Sequence, residues 1–269
     1  MAISGVLGFL GFGNMGRAIA NGLVQAGAIP ADHLLAYDVK PGSAKQVEGI
    51  GGVAVESAAA LAEESQTLLL APKPQDMEAV LESIAGHLAA ESLVISIAAG
   101  ISISYIQGVL GSDCRVVRVM PNTPALVGAG AAGFALSASC TEEDAGVTET
   151  IFESIGIAER LPESALDAVT ALSGSGPAYF FAFVEACVKA GVSLGLPEDQ
   201  ATRLAGQTLY GAGILLKESG ESAATLRERV TSKGGTTEAA LACFEQRDLD
   251  GTVRAAIVAA ATRSHELGK

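Results

Sequence analysis

Short apolar runs alternate with longer Ala-rich stretches through the first 161 residues. The runs are too short for stable helices and are rich in Leu, Ile and Val, which predicts strands buried on both faces of a sheet. We expect strands at Val6–Leu10, Leu34–Tyr37, Thr67–Ala71, Leu93–Ile97 and Arg115–Met120. We expect helices between them at Met15–Ala26, Lys45–Glu48, Ala58–Glu63 and Met77–Leu88. This alternation predicts βαβ crossovers and an α/β, doubly wound, mainly parallel sheet.

The hydrophobic pattern changes at Pro162. Before it, Gly133–Ser139, Glu142–Ser154 and Ile157–Leu161 predict two further strands around a helix. After it the pattern is helical to the end, with apolar positions on single helical faces. Such faces are expected at Phe180, Val184, Cys187, Val188 and Gly191, and at Val253, Ile257, Ala260, Ser264 and Leu267. We therefore predict an α/β domain over residues 1–161 and an all-helical domain over residues 162–269.

A glycine motif directly follows the first predicted strand and opens the first predicted helix. It has the spacing G-x-G-x-x-G in the strand–turn–helix setting that binds dinucleotides. Gly11 permits the tight turn, Gly13 lets a diphosphate approach the backbone, and Gly16 allows close packing of helix and strand. The alternative is a glycine turn that serves only packing. The predicted cofactor contacts here are Leu10, Gly11, Phe12, Gly13, Asn14, Met15 and Gly16.

Asp38 ends the second predicted strand, 22 residues after Gly16. An acidic residue at this distance accepts hydrogen bonds from the adenosine ribose 2′-hydroxyl, which favours NAD over NADP. Lys40 lies two residues further on and can instead pair with a 2′-phosphate. Asp38 can also be a simple turn residue before Pro41. The expected cofactor is therefore NADPH or NADH.

The charge balance excludes several classes of partner. The chain has 17 basic and 30 acidic side chains, a net charge of −13, which disfavours nucleic acid and anionic membranes.

There is neither a basic amino-terminal segment typical of a secretory signal nor an apolar run of about 18 residues, the length needed to span a membrane. The four cysteines lie 26, 47 and 56 residues apart, without metal-site or redox-pair spacing. We expect a cytoplasmic protein with reduced thiols, no metal and a small-molecule substrate.

Five further segments carry a family resemblance. Ala71–Gln75, Ser96–Gly100 and Arg118–Pro124 follow predicted strands, at the edge where open α/β sheets bind ligands. The helical half contains Ser-Gly-Ser-Gly-Pro-Ala-Tyr at 173–179 and Ser-Lys-Gly-Gly-Thr-Thr at 232–237. With the glycine turn, these motifs resemble those of pyrroline-5-carboxylate reductases, over essentially the whole chain. The last two motifs are specific to that family.

The resemblance implies an amino-terminal Rossmann domain that binds the dinucleotide and a helical domain that binds substrate and dimerises. It implies hydride transfer from NAD(P)H to the C=N bond of 1-pyrroline-5-carboxylate, which yields L-proline in the last step of proline biosynthesis. It further implies rings of dimers, such as a decamer of five. The nicotinamide half of the cofactor groove would be lined by Ala71, Lys73, Pro74, Ala98 and Ala99. The substrate carboxylate would be held by Ser232, Gly234, Gly235, Thr236 and Thr237, with Glu163 and Thr170 nearby.

The residues of the loop before Glu238 are chemically suited to bind a carboxylate, apart from any family resemblance. The loop's N–H groups and threonine hydroxyls can surround a carboxylate at the start of a helix without any arginine. A plain N-cap for a helix starting near Glu238 is the alternative, and both roles can coexist. Hydride transfer needs mainly orientation and a protonated imine. His33, His87 and His265 all lie in segments predicted to be exposed, so no histidine is an obvious acid. Thr170, just before the Ser-Gly-Ser-Gly turn, is our candidate to hydrogen-bond the ring nitrogen.

Two other functions fit parts of the sequence. A β-hydroxyacid dehydrogenase also joins a Rossmann domain to helices and uses a lysine as proton shuttle. The candidate here is Lys189, although Glu185 four residues earlier indicates a solvated helix face. A dinucleotide-binding protein without catalytic activity is the second alternative, and it has no need for the loop before Glu238.

Overall fold

The computed structural model describes residues 3–89 and 91–268. Its central feature is one eight-stranded sheet in the order β3-β2-β1-β4-β5-β6-β7-β8. The strands are β1 (Leu7–Leu10), β2 (Leu34–Tyr37), β3 (Val53–Ala54), β4 (Thr67–Leu70), β5 (Leu93–Ser96), β6 (Arg115–Met120), β7 (Gly130–Leu136) and β8 (Gly156–Arg160). Strands β1 to β6 are parallel; β7 runs antiparallel to β6, and β8 is parallel to β7. The predicted doubly wound, mainly parallel sheet is confirmed.

Twelve α-helices occur in the described residues. They are α1 (Asn14–Gln25), α2 (Pro41–Ala44), α3 (Ala58–Glu64), α4 (Met77–Ile84), α5 (Ile103–Leu110), α6 (Glu142–Glu153), α7 (Leu166–Val169), α8 (Gly176–Ser193), α9 (Glu198–Ser219), α10 (Ala223–Arg229), α11 (Thr236–Gln246) and α12 (Leu249–Leu267). A π-helical turn at Thr170–Gly174 connects α7 to α8. The chain is helical after Pro162, as predicted.

The sequence pattern missed β3, α2 and α5 and misplaced several other element boundaries. Strand β3 has two residues, too few for a hydrophobic pattern to register. Helix α5 is rich in β-branched and aromatic residues with weak helix propensity, but Ser102 caps it by accepting the Tyr105 N–H at 3.1 Å. The segment expected to be helical at 45–48 is a 3₁₀ helix, Lys45–Ile50. Strand β7 starts three residues before the predicted Gly133, because small glycine and alanine side chains weaken the pattern.

Apolar residues are buried on both faces of the sheet. Along β4, Leu69 belongs to one buried cluster, whereas Leu68 and Leu70 belong to the other. Alternate strand residues point to opposite faces, so both faces are covered, as expected of a parallel sheet. Phe12, in the glycine turn, is buried against Phe9 of β1 with ring centroids 5.5 Å apart. This contact attaches the turn to the core.

The chain divides into two compact units. The first comprises residues up to Ser175 and those from Ala260 onward, and the second is Gly176–Ala259. The first unit therefore extends beyond residue 161, where the sequence places the domain boundary. The reason is packing: Leu166 is fully buried, and a Cβ on Gly133 of β7 would lie 2.8 Å from a Val169 methyl.

The end of α12 is anchored within the first unit by Asp167. Its Oδ1 accepts a hydrogen bond from the Ser264 hydroxyl at 2.7 Å, and its Oδ2 lies 3.3 Å from Nδ1 of His265. Ser264 is among the few buried polar residues of the first unit.

The second unit has almost no buried side chains of its own. Gly176 and Ala201 are its only residues in the buried class, although its helices are rich in apolar residues. Phe180 and Tyr210, for example, are 59% and 64% exposed. Apolar surface on this scale marks an interaction site. Among the described helices, none combines the length and apolar character needed to cross a membrane.

Candidate active site

The glycine turn has a geometry that only glycine allows at its first position. Gly11 has φ +93°, and a Cβ there would lie 2.8 Å from the Ala71 carbonyl oxygen. Gly16 is also restricted, since a Cβ would lie 3.0 Å from the Gly11 oxygen. Gly13 is different, because an added Cβ would meet no protein atom within 4 Å. The absence of a side chain at Gly13 thus leaves open space above the turn.

The amino terminus of α1 faces that turn without a capping side chain. Gly13 is its N-cap residue, and no side-chain hydrogen bond caps this fully described helix end. A helix start carries partial positive charge and first-turn N–H groups that need acceptors. The open space at Gly13 and the uncapped helix start together fit a diphosphate.

Asp38 is held by two backbone hydrogen bonds. Its Oδ2 accepts from the Phe12 N–H at 2.9 Å, and its Oδ1 accepts from the Lys40 N–H at 2.8 Å. These contacts are those of a turn residue, and they also place the carboxylate beside the glycine turn. A carboxylate has about four acceptor positions, so a ribose hydroxyl can bind the same oxygens. Lys40 is exposed beside it.

A cationic cavity behind the turn was not predicted. It has a volume of about 460 Å³, and its lining includes Phe12, Arg17, Lys45 and Gln46. Arg17 hydrogen-bonds the side chains of Asn14 and Gln46. Sequence spacing gave no signal for Lys45 and Gln46, because they lie in a 3₁₀ helix far along the chain from the turn.

The predicted nicotinamide segments lie at the same sheet edge as the glycine turn. The Ala71 N–H donates to the Leu10 oxygen at 2.8 Å, so the two strand ends stay paired to the edge. Lys73 and Pro74 follow as exposed residues. After the neighbouring strand β5, Ala98 is buried and Ala99 is exposed. Because β1, β4 and β5 are adjacent and parallel, their carboxyl ends bring these residues together.

Glu163 is engaged with residues of the sheet and of α5. Its Oε1 accepts from the Ile103 N–H at 2.9 Å and pairs with Arg118 at 3.2 Å. The Arg118 side chain is 13% exposed and that of Glu163 is 33% exposed, so the arginine end of this ion pair is the more shielded from water. Glu163 thereby fixes the start of α5, directly after the segment that contains Ala98 and Ala99. Arg115 and Arg118 are the two charges of β6, but the sequence does not indicate that Glu163 is the partner of Arg118.

Thr170 begins the π-helical turn, a rare form that often marks functional sites. Its hydroxyl donates to the Leu166 oxygen at 2.8 Å, which leaves the Oγ1 lone pairs as acceptors. Asn122 connects this turn to the sheet: it donates to the Ser173 oxygen at 3.1 Å and accepts from the Ala131 N–H at 2.9 Å.

The loop from Ser232 to Thr237 lies in the second unit. The Gly235 N–H donates to the Ser232 oxygen at 2.9 Å, and Gly234 has φ +72°. Helix α11 starts at Thr236, two residues before the expected start near Glu238, and no side chain caps this described terminus at Gly235. Thr236 and Thr237 are thus first-turn residues of the helix rather than caps.

Comparisons with known proteins find similarity to oxidoreductases along nearly the whole chain. Residues 163–267 match the family model for pyrroline-5-carboxylate reductase dimerisation, and residues 6–100 match that for coenzyme F420-dependent NADP oxidoreductase. The chain is 39% identical to the pyrroline-5-carboxylate reductase of Methanosarcina acetivorans, over 98% of each protein. The chain belongs to the pyrroline-5-carboxylate reductase family.

Solved structures of the family superpose closely on this chain. The pyrroline-5-carboxylate reductase of Coxiella burnetii has a TM-score of 0.93 at 33% identity and covers 99% of this chain and all of its own. The Plasmodium falciparum pyrroline carboxylate reductase, solved with NADP bound, has a TM-score of 0.86 at 32% identity over all of both chains. The sequence-based family assignment is confirmed.

The lysine and histidine candidates from the sequence are mostly exposed. Both Lys189 and Glu185 are exposed on α8. The predictions for His87 and His265 as exposed residues are confirmed, whereas His33 is half-buried because its ring nitrogen Nδ1 contacts the Gly5 oxygen at 3.1 Å.

The four cysteines are free thiols. Burial raises the pKa of Cys114 to about 11, and the neighbouring Cys140 thiol adds to this effect. Burial also raises the pKa of Cys140. Both thiols are therefore protonated at neutral pH and are poor nucleophiles.

We predict that Glu163→Ala destabilises the first unit, because it leaves the partly buried Arg118 charge and the Ile103 N–H without their acceptor. The expected loss in free energy of unfolding is about 2 kcal/mol. Urea denaturation at fixed protein concentration measures it. Glu142→Ala is the matched control, since Glu142 pairs with Arg160 at the surface and should cost less than about 1 kcal/mol. Equal losses in both variants would contradict the structural role of Glu163.

Proposed function

We propose that this protein reduces 1-pyrroline-5-carboxylate to L-proline with NADPH or NADH, the last step of proline biosynthesis. The observation that carries this proposal is family-level identity over the full chain, together with an open glycine turn at an uncapped helix start. The protein is an oxidoreductase acting on a C=N bond. No observation in the described residues favours a hydroxyacid substrate or a purely dinucleotide-binding role.

The residues at the sheet edge fit the dinucleotide. Leu10 to Gly16 would hold its diphosphate, since a ligand oxygen can approach the backbone at Gly13. Asp38 and Lys40 would lie at the adenosine ribose. The nicotinamide half would contact Ala71, Lys73, Pro74, Ala98 and Ala99. When bound, the reduced nicotinamide supplies the hydride.

The protein then has two tasks, to orient the imine and to stabilise its charges. The N–H groups of Ser232, Gly234, Gly235, Thr236 and Thr237 and the threonine hydroxyls would hold the substrate carboxylate. Thr170 Oγ1 would accept a hydrogen bond from the protonated ring nitrogen, because its own proton is donated to Leu166. That bond favours the iminium form, which accepts hydride more readily. Glu163 would act nearby, through the contacts that fix α5.

The helical region would form the interface between subunits. Its apolar side chains are exposed in the single chain, and its family model is a dimerisation model. We propose a homodimer through these helices, with five dimers in a decamer. We also propose that residues 1–161 bind the dinucleotide and residues 162–269 bind substrate and dimerise. Four free thiols support a cytoplasmic location.

The glycine turn provides the first test of this function. We expect the wild type to oxidise NADPH or NADH only when pyrroline-5-carboxylate is present. Gly13→Ala should raise the Kd for the cofactor at least tenfold without changing Tm, because its methyl group enters the open space and meets no protein atom.

Gly11→Ala is the matched variant for that test. It should lower stability by about 2 kcal/mol, because Ala is strained at a positive φ and its Cβ approaches the Ala71 oxygen. Unchanged cofactor affinity in Gly13→Ala would place the diphosphate elsewhere. Absence of imine-dependent oxidation in the wild type would refute the function.

Asp38 should control the choice between the two cofactors. Asp38→Ser removes a carboxylate that repels a 2′-phosphate, so kcat/KM for NADPH relative to NADH should rise about tenfold. Asp38→Asn should also raise the NADPH-to-NADH ratio of kcat/KM. Because Asn retains one acceptor oxygen, this variant should lose less stability than Asp38→Ser. Steady-state kinetics with both cofactors measures the ratio. A ratio that stays constant in both variants would leave Asp38 with only its turn contacts to Phe12 and Lys40.

Thr170→Ala should lower kcat about tenfold by removing the acceptor for the ring N–H. Thr170→Ser keeps the hydroxyl and should restore most of the rate. Single-turnover measurements at saturating cofactor separate this effect from product release. Identical kcat and KM in wild type and Thr170→Ala would rule out the role.

A further inference from the structure

A carboxylate of the protein itself occupies the loop assigned to the substrate carboxylate. Oε2 of Glu238 accepts a hydrogen bond from the Gly234 N–H at 2.7 Å. Glu238 is the third residue of α11, so its side chain reaches back across the helix start. The contact resembles the return bond of a capping box, but it is made one residue earlier, to Gly234 rather than to the N-cap Gly235.

This contact uses a donor that a bound substrate would need. The other glycine N–H of the loop, that of Gly235, is already donated to the Ser232 oxygen. Gly234 therefore carries the glycine N–H that can be exchanged between acceptors without breaking the main-chain turn. A substrate carboxylate arriving there meets a second carboxylate, and like charges at hydrogen-bond distance repel.

We propose that Glu238 determines the affinity of the loop for carboxylate ligands: it binds the Gly234 N–H in the free protein and is displaced when the substrate carboxylate binds. This inference rests on the proposed function. Both Glu238 and Gly234 are exposed, so water solvates the displaced side chain. Binding then exchanges one charged hydrogen bond for another, which weakens substrate and product binding alike. Release of L-proline is aided by the return of Glu238.

Substitution of Glu238 tests this competition directly. In Glu238→Ala the KM for pyrroline-5-carboxylate should fall about three- to tenfold, and the Kd for L-proline should fall by the same factor. Glu238→Gln, which keeps a weaker neutral acceptor, should show a smaller decrease. The single-turnover rate of hydride transfer at saturating substrate should not change, because Glu238 is displaced before that step. Titration calorimetry with L-proline and oxidised cofactor measures Kd without turnover.

Two controls separate competition from a general charge effect. Glu245→Ala removes the same charge from α11 two turns further on, and it should leave KM unchanged. The substrate 1-pyrroline lacks the carboxylate, so its KM should be equal in wild type and Glu238→Ala.

The outcomes distinguish this inference from the function on which it rests. A KM that rises or stays constant in Glu238→Ala and Glu238→Gln, while the wild type turns over, overturns the role of Glu238 alone. An equal decrease in Glu245→Ala or with 1-pyrroline also overturns it, in favour of simple charge repulsion. A wild type that neither reduces the imine nor binds L-proline overturns the proposed function, and the competition with it.

Discussion

The close approach of the ends of β1 and β4 is the constraint on which the site depends. The carbonyl of Ala71 lies so near Gly11 that a side chain has no room, and the turn must take a positive φ. That turn directs the chain into α1 and leaves the helix start uncapped beside open space at Gly13. Phe12 fixes the arrangement by packing on Phe9. A carboxylate from the next strand, Asp38, holds the turn from the other side. The geometry proposed to bind the diphosphate therefore follows from strand spacing, before any ligand is considered.

The sheet and the glycine turn were predictable because both produce patterns among residues that are close together in the sequence. Buried parallel strands appear as continuous apolar runs, and the turn has fixed spacing next to one of them. The ion pair of Glu163 with Arg118 was not predictable, since it joins residues 45 positions apart through the fold. Helix α5 was missed because a serine cap outweighs its weak propensity. The contact of Glu238 with Gly234 is local, yet it depends on where α11 begins, and helix boundaries are the least certain feature of a sequence.

The second unit shows what a hydrophobic pattern can and cannot establish. Its helices were predicted from amphipathic spacing, which presumes that the apolar face is buried within the chain. Of the ten positions predicted on these faces, four are exposed and six are half-buried or buried, whereas apolar residues outside the faces, such as Phe181 and Leu249, are exposed. The family match explains the exposed apolar surface of these helices, because the matched family model concerns dimerisation. A small-residue, apolar helical segment therefore encodes an interface as readily as a core.

The anchoring of Ser264 and His265 by Asp167 affects how this protein folds while it is being translated. The first unit is discontinuous in sequence, because residues 176–259 separate its sheet from the end of α12. During translation the sheet can assemble while the position beside Asp167 is still vacant. Completion of the first unit thus waits for synthesis of the residues after Ala259, and the helices of residues 176–259 are an insertion within it.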